Sequence, residues 1–158
     1  MVEMVARAKM IVRRPASEVF GAFVQPELIT KFWLKSTTGP LRQGAQVEWQ
    51  FMVPGATEHV RVTAFDAPRH LAFAWSDGGL GVDMKFFEER KGVTVVSVEV
   101  HGFKSGGGSE PVVDATEGFS IVLCDLKVFL ESGHSPNLVK DKAELIHGGH
   151  RPQQNGRE

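Results

Sequence analysis

The architecture of this chain follows from residues 112–132, which read VVDATEGFSIVLCDLKVFLES. Apolar residues recur there at intervals of three and four, the spacing that places side chains on one face of an α-helix. That face comprises Phe119, Val122, Leu123, Leu126, Phe129 and Leu130. Gly133 follows, where a left-handed helix cap is expected. The pattern predicts one long amphipathic helix, which needs an apolar surface to cover.

The segments upstream of this helix predict that surface. Residues 46–53 alternate, with Val47, Trp49, Phe51 and Val53 on one face. Such alternation is typical of a strand with one buried face. The same period recurs in four more segments, the last of which ends near Val100, and short turns separate them. We therefore predict an antiparallel meander of five strands.

The N-terminal part of the chain predicts one further strand and two short helices. Residues 5–12 alternate, whereas the apolar runs after Pro15 and Pro26 have helical spacing. The fold class is therefore α+β, with a curved sheet of about six strands around the long helix. We expect one domain at residues 1–133. Residues 134–158 are polar, and we expect a flexible tail with one or two amphipathic turns at residues 136–147.

Composition excludes several classes of function. Eighteen basic and nineteen acidic residues give a net charge of −1, so no nucleic acid partner is expected. No segment approaches the ~18–20 uninterrupted apolar residues of a membrane span. The single cysteine and the lack of a secretory signal predict a cytoplasmic protein. The chain contains no tyrosine, which excludes any mechanism that needs a phenol.

Five stretches match, in the correct order, the pattern of a known superfamily. Residues 15–23 read PASEVFGAF, residues 26–33 read PELITKFW, and residues 68–75 read PRHLAFAW. Residues 92–103 and 117–126 continue the match, which spans residues 5–133. The chain resembles the SRPBCC superfamily of START-like and birch-pollen-allergen-like helix-grip domains, and within it the branch named for activators of heat-shock-protein ATPase.

The resemblance implies a helix-grip fold, but it implies no single function, because such domains include lipid carriers, cyclases and co-chaperone domains. The family pattern often places an inward polar residue, commonly histidine, near the end of the last strand. This chain has Val100 there, and His101 is predicted to lie on the opposite face.

The apolar faces of the sheet and of the helix predict the wall of a cavity. We expect it to bind a small hydrophobic or aromatic ligand, such as a lipid, a polyketide or an aromatic metabolite. A completely filled core is the alternative. The candidate ligand-binding residues are Trp33, Trp49, Phe51, Val62, Phe73, Trp75, Met84, Phe86, Val98, Phe119 and Leu123.

Two other functions remain open, a cyclase-like or hydratase-like enzyme and a chaperone-activator-like interaction domain. An enzyme needs an ionisable group inside the cavity, but the alternation directs Glu48, Asp83, Glu99 and His101 outward. We expect cross-strand pairs of Asp83 and Glu99 with Lys85 or Arg61. No catalytic residue, metal site or cofactor is predicted, Cys124 is interpreted as structural, and a homodimer is an open alternative.

Overall fold

The computed structural model of the protein describes residues 3–148. Seven strands and four helices follow one another in this part of the chain. Their bounds, in chain order, are β1 (Ala6–Val12), α1 (Ala16–Val24), α2 (Pro26–Phe32), β2 (Leu34–Thr37), β3 (Gln46–Phe51), β4 (Thr57–Asp66), β5 (His70–Trp75), β6 (Leu80–Arg90), β7 (Val93–His101), α3 (Glu110–Ser132) and α4 (Leu138–His147).

All seven strands belong to one antiparallel sheet in the order β1-β7-β6-β5-β4-β3-β2. The predicted meander is therefore confirmed as β3 to β7, and the first strand pairs with the last one, Ala6 lying opposite Val100. The strand β2 is one more than the six that were predicted. Its four residues contain a single fully buried side chain, Leu34, which is too short a pattern to predict a strand.

The helix α3 lies against the apolar face of the sheet and is the long helix that the sequence predicts. It begins at Glu110, slightly before the expected start at Val112, with a proline in its first turn. Phe119 and Leu126 are among its buried residues. Gly133 ends it with a φ of 88°, the left-handed conformation that glycine adopts most readily. The α+β helix-grip class is confirmed.

The short helices α1 and α2 pack against one end of the sheet, and their aromatic rings fill it. Phe20 lies 5.2 Å from Phe86 and 5.3 Å from Phe65 between ring centroids. Phe23 contacts Phe32 at 5.6 Å. These are edge-to-face contacts, the geometry that aromatic pairs favour.

The helix α4 is longer than the one or two turns expected in the tail. It follows a left-handed residue, Asn137, and packs back along α3. Asp125, which the sequence places off the apolar stripe, is fully buried and connects the two helices. Its carboxylate accepts hydrogen bonds from Ser135 Oγ at 2.6 Å and from the Val139 backbone N–H at 3.1 Å. The N–H groups of a first helical turn lack intrahelical partners, so Asp125 caps α4 from α3.

The rest of the predicted tail, after residue 148, lies outside the described residues. Within residues 3–148, no helix combines the length and the apolar character needed to span a bilayer.

Candidate ligand cavity

A cavity of about 330 Å³ lies at the end of the sheet opposite α1, between the sheet, α3 and α4. Its volume is at the lower end of the range typical of small-molecule sites. Opposite α3 its wall consists of one aromatic residue that ends α2, two aromatic residues of the sheet, and the turn between β3 and β4. These residues are Trp33, Phe51, Trp75, Met52, Val53 and Ala56.

On the helix side the cavity exists because the first half of α3 carries small residues. Ala115 and Gly118 are three positions apart and therefore lie on the same face of the helix. A Cβ atom added at Gly118 would have no neighbouring atom within 4 Å. The remaining lining residues of this helix are Phe119, Ile121 and Val122.

The third wall is α4, which contributes Val139, Lys142, Ala143 and Ile146. Ala143 is its one fully buried residue. The ammonium group of Lys142 forms an ion pair with Glu117 of α3 at 2.9 Å. This ion pair and the hydrogen bonds to Asp125 connect α4 to α3. Asp125 itself does not line the cavity, so it supports this wall indirectly, through the position of α4.

Aromatic rings form the inner corner of the cavity, with Trp33 at its centre. The Trp33 ring lies 5.1 Å from Trp49 and 5.6 Å from Phe119, both in edge-to-face geometry. Trp75 lies 5.9 Å from Phe119 and 5.8 Å from Phe51. Rings that brace one another in this way give a stiff apolar surface, which suits a flat apolar molecule.

Polar groups are scarce in this wall. Lys142 is the one ionisable side chain among the described residues that line it. Trp75 Nε1 is buried and has no hydrogen-bond partner, the single such side-chain atom in residues 3–148. Buried polar groups are almost always hydrogen-bonded, so this indole N–H is an exception that needs an explanation.

The structure brings four of the predicted ligand-binding residues to the cavity, namely Trp33, Phe51, Trp75 and Phe119. The other seven lie in the packed core and do not line it. They are Trp49, Val62, Phe73, Met84, Phe86, Val98 and Leu123, and each is at most 4% exposed. Their ligand-binding role was predicted because they share the apolar face of the sheet. A shared face does not indicate at which positions side chains of α1 and α3 already pack against the sheet.

Sequence reasoning missed the residues that create the space. The signal is the pair Ala115 and Gly118 at helical spacing on the sheet-facing side of α3. The other missed wall belongs to α4, whose apolar positions include Val139 and Ile146. That helix was treated as part of a flexible tail.

On the outer sheet face, Asp83 and Glu99 pair with other ionisable residues, away from the cavity. The predicted partners Lys85 and Arg61 are wrong. Asp83 contacts His70, and Glu99 pairs with Arg7 at 3.2 Å and with His101 at 3.2 Å.

The hydrogen bond from Arg7 is the main cause that lowers the pKa of Glu99 below its ordinary value. Val100 is buried on the inner face, as the alternation predicts, and His101 lies on the outer one. Within residues 3–148, no three His, Cys, Asp or Glu side chains are grouped closely enough to hold a metal ion.

Solved structures with the same fold come from bacteria and from a protozoan. A protein from Staphylococcus saprophyticus has 29% sequence identity and a TM-score of 0.74, covering 84% of this chain and 95% of its own. The Aha1 dimer from Colwellia psychrerythraea has 14% identity and a TM-score of 0.73, covering 84% and 98%. An HSP90 activator from Plasmodium falciparum has 13% identity and a TM-score of 0.66, covering 81% and 96%. The last two likenesses show the fold alone.

The comparison with curated proteins found no match. The family model described as activator of Hsp90 ATPase homolog 1-like protein matches residues 13–131, which is most of the chain and extends from the end of β1 to the end of α3. The structure explains this extent, because these residues form the meander, the two short helices and the long helix around which the sheet curves. The chain belongs to the activator of Hsp90 ATPase homolog 1-like protein family.

Proposed function

We propose that this protein binds a small hydrophobic or aromatic ligand in the cavity between the sheet, α3 and α4. The observation that carries the proposal is an apolar cavity of about 330 Å³ beside Gly118, lined by the aromatic residues Trp33, Phe51, Trp75 and Phe119. The cavity opens to solvent, and its lining residue Ile146 is 59% exposed, so apolar surface of the wall is in contact with water. A ligand that fills the space covers this apolar surface, which is favourable.

The shape of the wall favours a flat ligand of about two fused rings over a long chain. Trp33, Trp75 and Phe119 present ring faces and edges from three directions. The scarcity of ionisable groups favours binding without chemistry, because general acid–base catalysis needs a titratable group within hydrogen-bond reach of the substrate. Lys142 is already paired with Glu117.

Filling the cavity from the protein side tests the proposal. In the variant Gly118→Leu, the new side chain enters open space and replaces a glycine inside a helix. Glycine in that position costs roughly 0.5–1 kcal/mol relative to alanine, so the variant should be at least as stable as the wild type. We expect it to lose the thermal stabilisation that an apolar ligand such as 2-acetylnaphthalene gives to the wild-type protein.

The matched control is Asp114→Leu, which adds the same side chain to an exposed position of α3 that does not line the cavity. This control should keep the ligand-induced shift in melting temperature. Equal shifts in Gly118→Leu and in the wild type would show that the ligand binds elsewhere, and would refute the proposed site.

A cytoplasmic location, a homodimer and a chaperone-activating role stay predictions. The dimer described for the Colwellia psychrerythraea protein motivates the prediction of a homodimer. Light scattering coupled to size-exclusion chromatography tests it, because a monomer and a dimer of a 17.4 kDa chain differ twofold in mass.

A further inference from the structure

The residues that line the cavity differ widely in their exposure, and this difference gives the cavity an inner end and a mouth. Trp33 and Phe119, whose rings lie 5.6 Å apart, form the inner end, and each of them is 5% exposed. Ile146, near the C-terminal end of α4, is 59% exposed, more than any other lining residue. The mouth therefore lies beside the C-terminal end of α4.

The surface that the wall presents to the cavity is almost entirely apolar. Lys142 is no exception, because its ammonium group pairs with Glu117 at 2.9 Å, and Glu117 does not line the cavity. Lys142 therefore contributes its methylene groups, as lysine often does beside apolar surfaces. The indole nitrogen of Trp75 is itself buried and adds no polar surface. A polar group that enters the cavity would lose its hydration and gain almost no hydrogen-bond partner in return.

We propose that the ligand is amphipathic and binds in one orientation, with an unsubstituted aromatic end at Trp33 and a hydrophilic group in solvent beside Ile146. The inference rests on the proposed function and narrows it to a class of ligand, namely an aromatic group carried by a larger hydrophilic molecule. Burial of the aromatic end is favourable, because it removes apolar surface of the ligand and of the wall from water. The hydrophilic group keeps its hydration, so the wall does not restrict its size.

Three naphthyl ethers test this orientation. They are 2-methoxynaphthalene, the 2-naphthyl ether of triethylene glycol, and the 2,6-bis ether, which carries a glycol tail at each end of the ring system. Affinity for the whole wild-type protein is measured by isothermal titration calorimetry and by quenching of tryptophan fluorescence. We expect the ether with one tail to bind within about threefold of 2-methoxynaphthalene, because its tail stays in water. The ether with two tails should bind about 30-fold more weakly or worse, because one tail has to enter the apolar cavity.

A thiol-reactive tail locates the mouth. Cys124, the single cysteine, is replaced by serine, and Ile146→Cys and Phe87→Cys are made in this background. The two positions are matched in exposure, at 59% and 66%, but Phe87 does not line the cavity. An ether whose one tail ends in a chloroacetamide should alkylate the thiol of Ile146→Cys at least about tenfold faster, because binding raises the local concentration of the reactive group. Mass spectrometry of the intact protein measures both rates, and excess 2-methoxynaphthalene should remove the difference.

The outcomes separate this inference from the proposed function. A large loss of affinity for the ether with one tail, while 2-methoxynaphthalene binds to the wild type and not to Gly118→Leu, would overturn the orientation and leave the cavity as a ligand site. Equal binding of all three ethers, or equal alkylation of the two cysteine variants, would also overturn the orientation. Binding of none of the ethers to the wild type would overturn both proposals. Tolerance of one tail but not of two, with faster alkylation at position 146, is the result we expect.

Discussion

The two ends of the interface between sheet and helix are built from the same kinds of residue, yet one end is filled and the other is hollow. At the filled end, Phe20 and Phe23 of α1 meet Phe86 of the sheet. At the hollow end, Trp33 and Phe119 face a cavity of about 330 Å³. Both ends carry aromatic residues at alternating positions of the sheet, so the sheet does not cause the difference.

The difference lies in what covers the sheet. At the filled end α1 inserts two phenylalanine rings, whereas at the hollow end the first half of α3 presents Ala115 and Gly118. Small residues over large aromatic ones leave a volume that no neighbouring side chain reaches. A binding cavity can therefore arise from two small helical residues, without any change in the sheet that forms its opposite wall.

Truncation of one aromatic residue at each end should show the largest loss in the free energy of unfolding. Phe86→Ala removes a ring that is 3% exposed and should lower the free energy of unfolding by about 3–5 kcal/mol. Phe51→Ala removes a half-buried ring beside space that is already empty and should cost about 1–2 kcal/mol, because fewer contacts are lost. Urea unfolding at neutral pH measures both changes. Equal losses would mean that the cavity is filled or collapsed in solution.

Release of α4 should lower the free energy of unfolding by an intermediate amount, and the structural change should be confined to the hollow end. Asp125→Ala leaves Ser135 Oγ and the Val139 N–H without their acceptor and should cost about 1–3 kcal/mol. Amide hydrogen exchange should rise in α4 but not in α1. The control Asp125→Asn keeps an acceptor oxygen and should show a smaller rise. Unchanged exchange of the α4 amides in Asp125→Ala would mean that Asp125 does not hold this helix.

The smallest change in the free energy of unfolding is expected for a substitution at the filled end, where Glu88 connects β6 to the start of α1. Its carboxylate accepts hydrogen bonds from the backbone N–H of Ala16 at 2.8 Å and of Gly92 at 2.9 Å. These bonds, that of Ala16 first, lower the pKa of Glu88 from its ordinary value of 4.5. A lowered folded-state pKa means that the stabilisation is complete above that ordinary value and is lost as the pH falls through the folded-state pKa.

Glu88→Gln tests this pH dependence. The stability difference between the wild type and this variant should be constant at neutral pH and should shrink as the pH falls below 4.5. Urea unfolding between neutral and acidic pH measures it. A difference that stays constant down to the acid transition would contradict the assignment. Ligand affinity should not change, because Glu88 does not line the cavity.

Local patterns in the sequence were sufficient for the fold class, for the meander and for the long helix. Periods of two and of three to four reflect which side chains face the core, and this information is local. The same rule predicted Val100 inward and His101 outward. It failed for β2, which is too short to show a period, and for α4, whose first turn donates a hydrogen bond to Asp125, a residue of another helix.

The candidate site was predictable only in part, since Trp33, Phe51, Trp75 and Phe119 belong to the cavity while the other predicted residues lie in the packed core. A strand pattern tells which face is apolar. It does not tell whether the covering element presents a large or a small side chain at that point, because that depends on how α1, α3 and α4 are placed over the sheet. The apolar faces are a property of the sequence, whereas the empty space beside Gly118 and the unpaired indole of Trp75 arise only when these elements pack together.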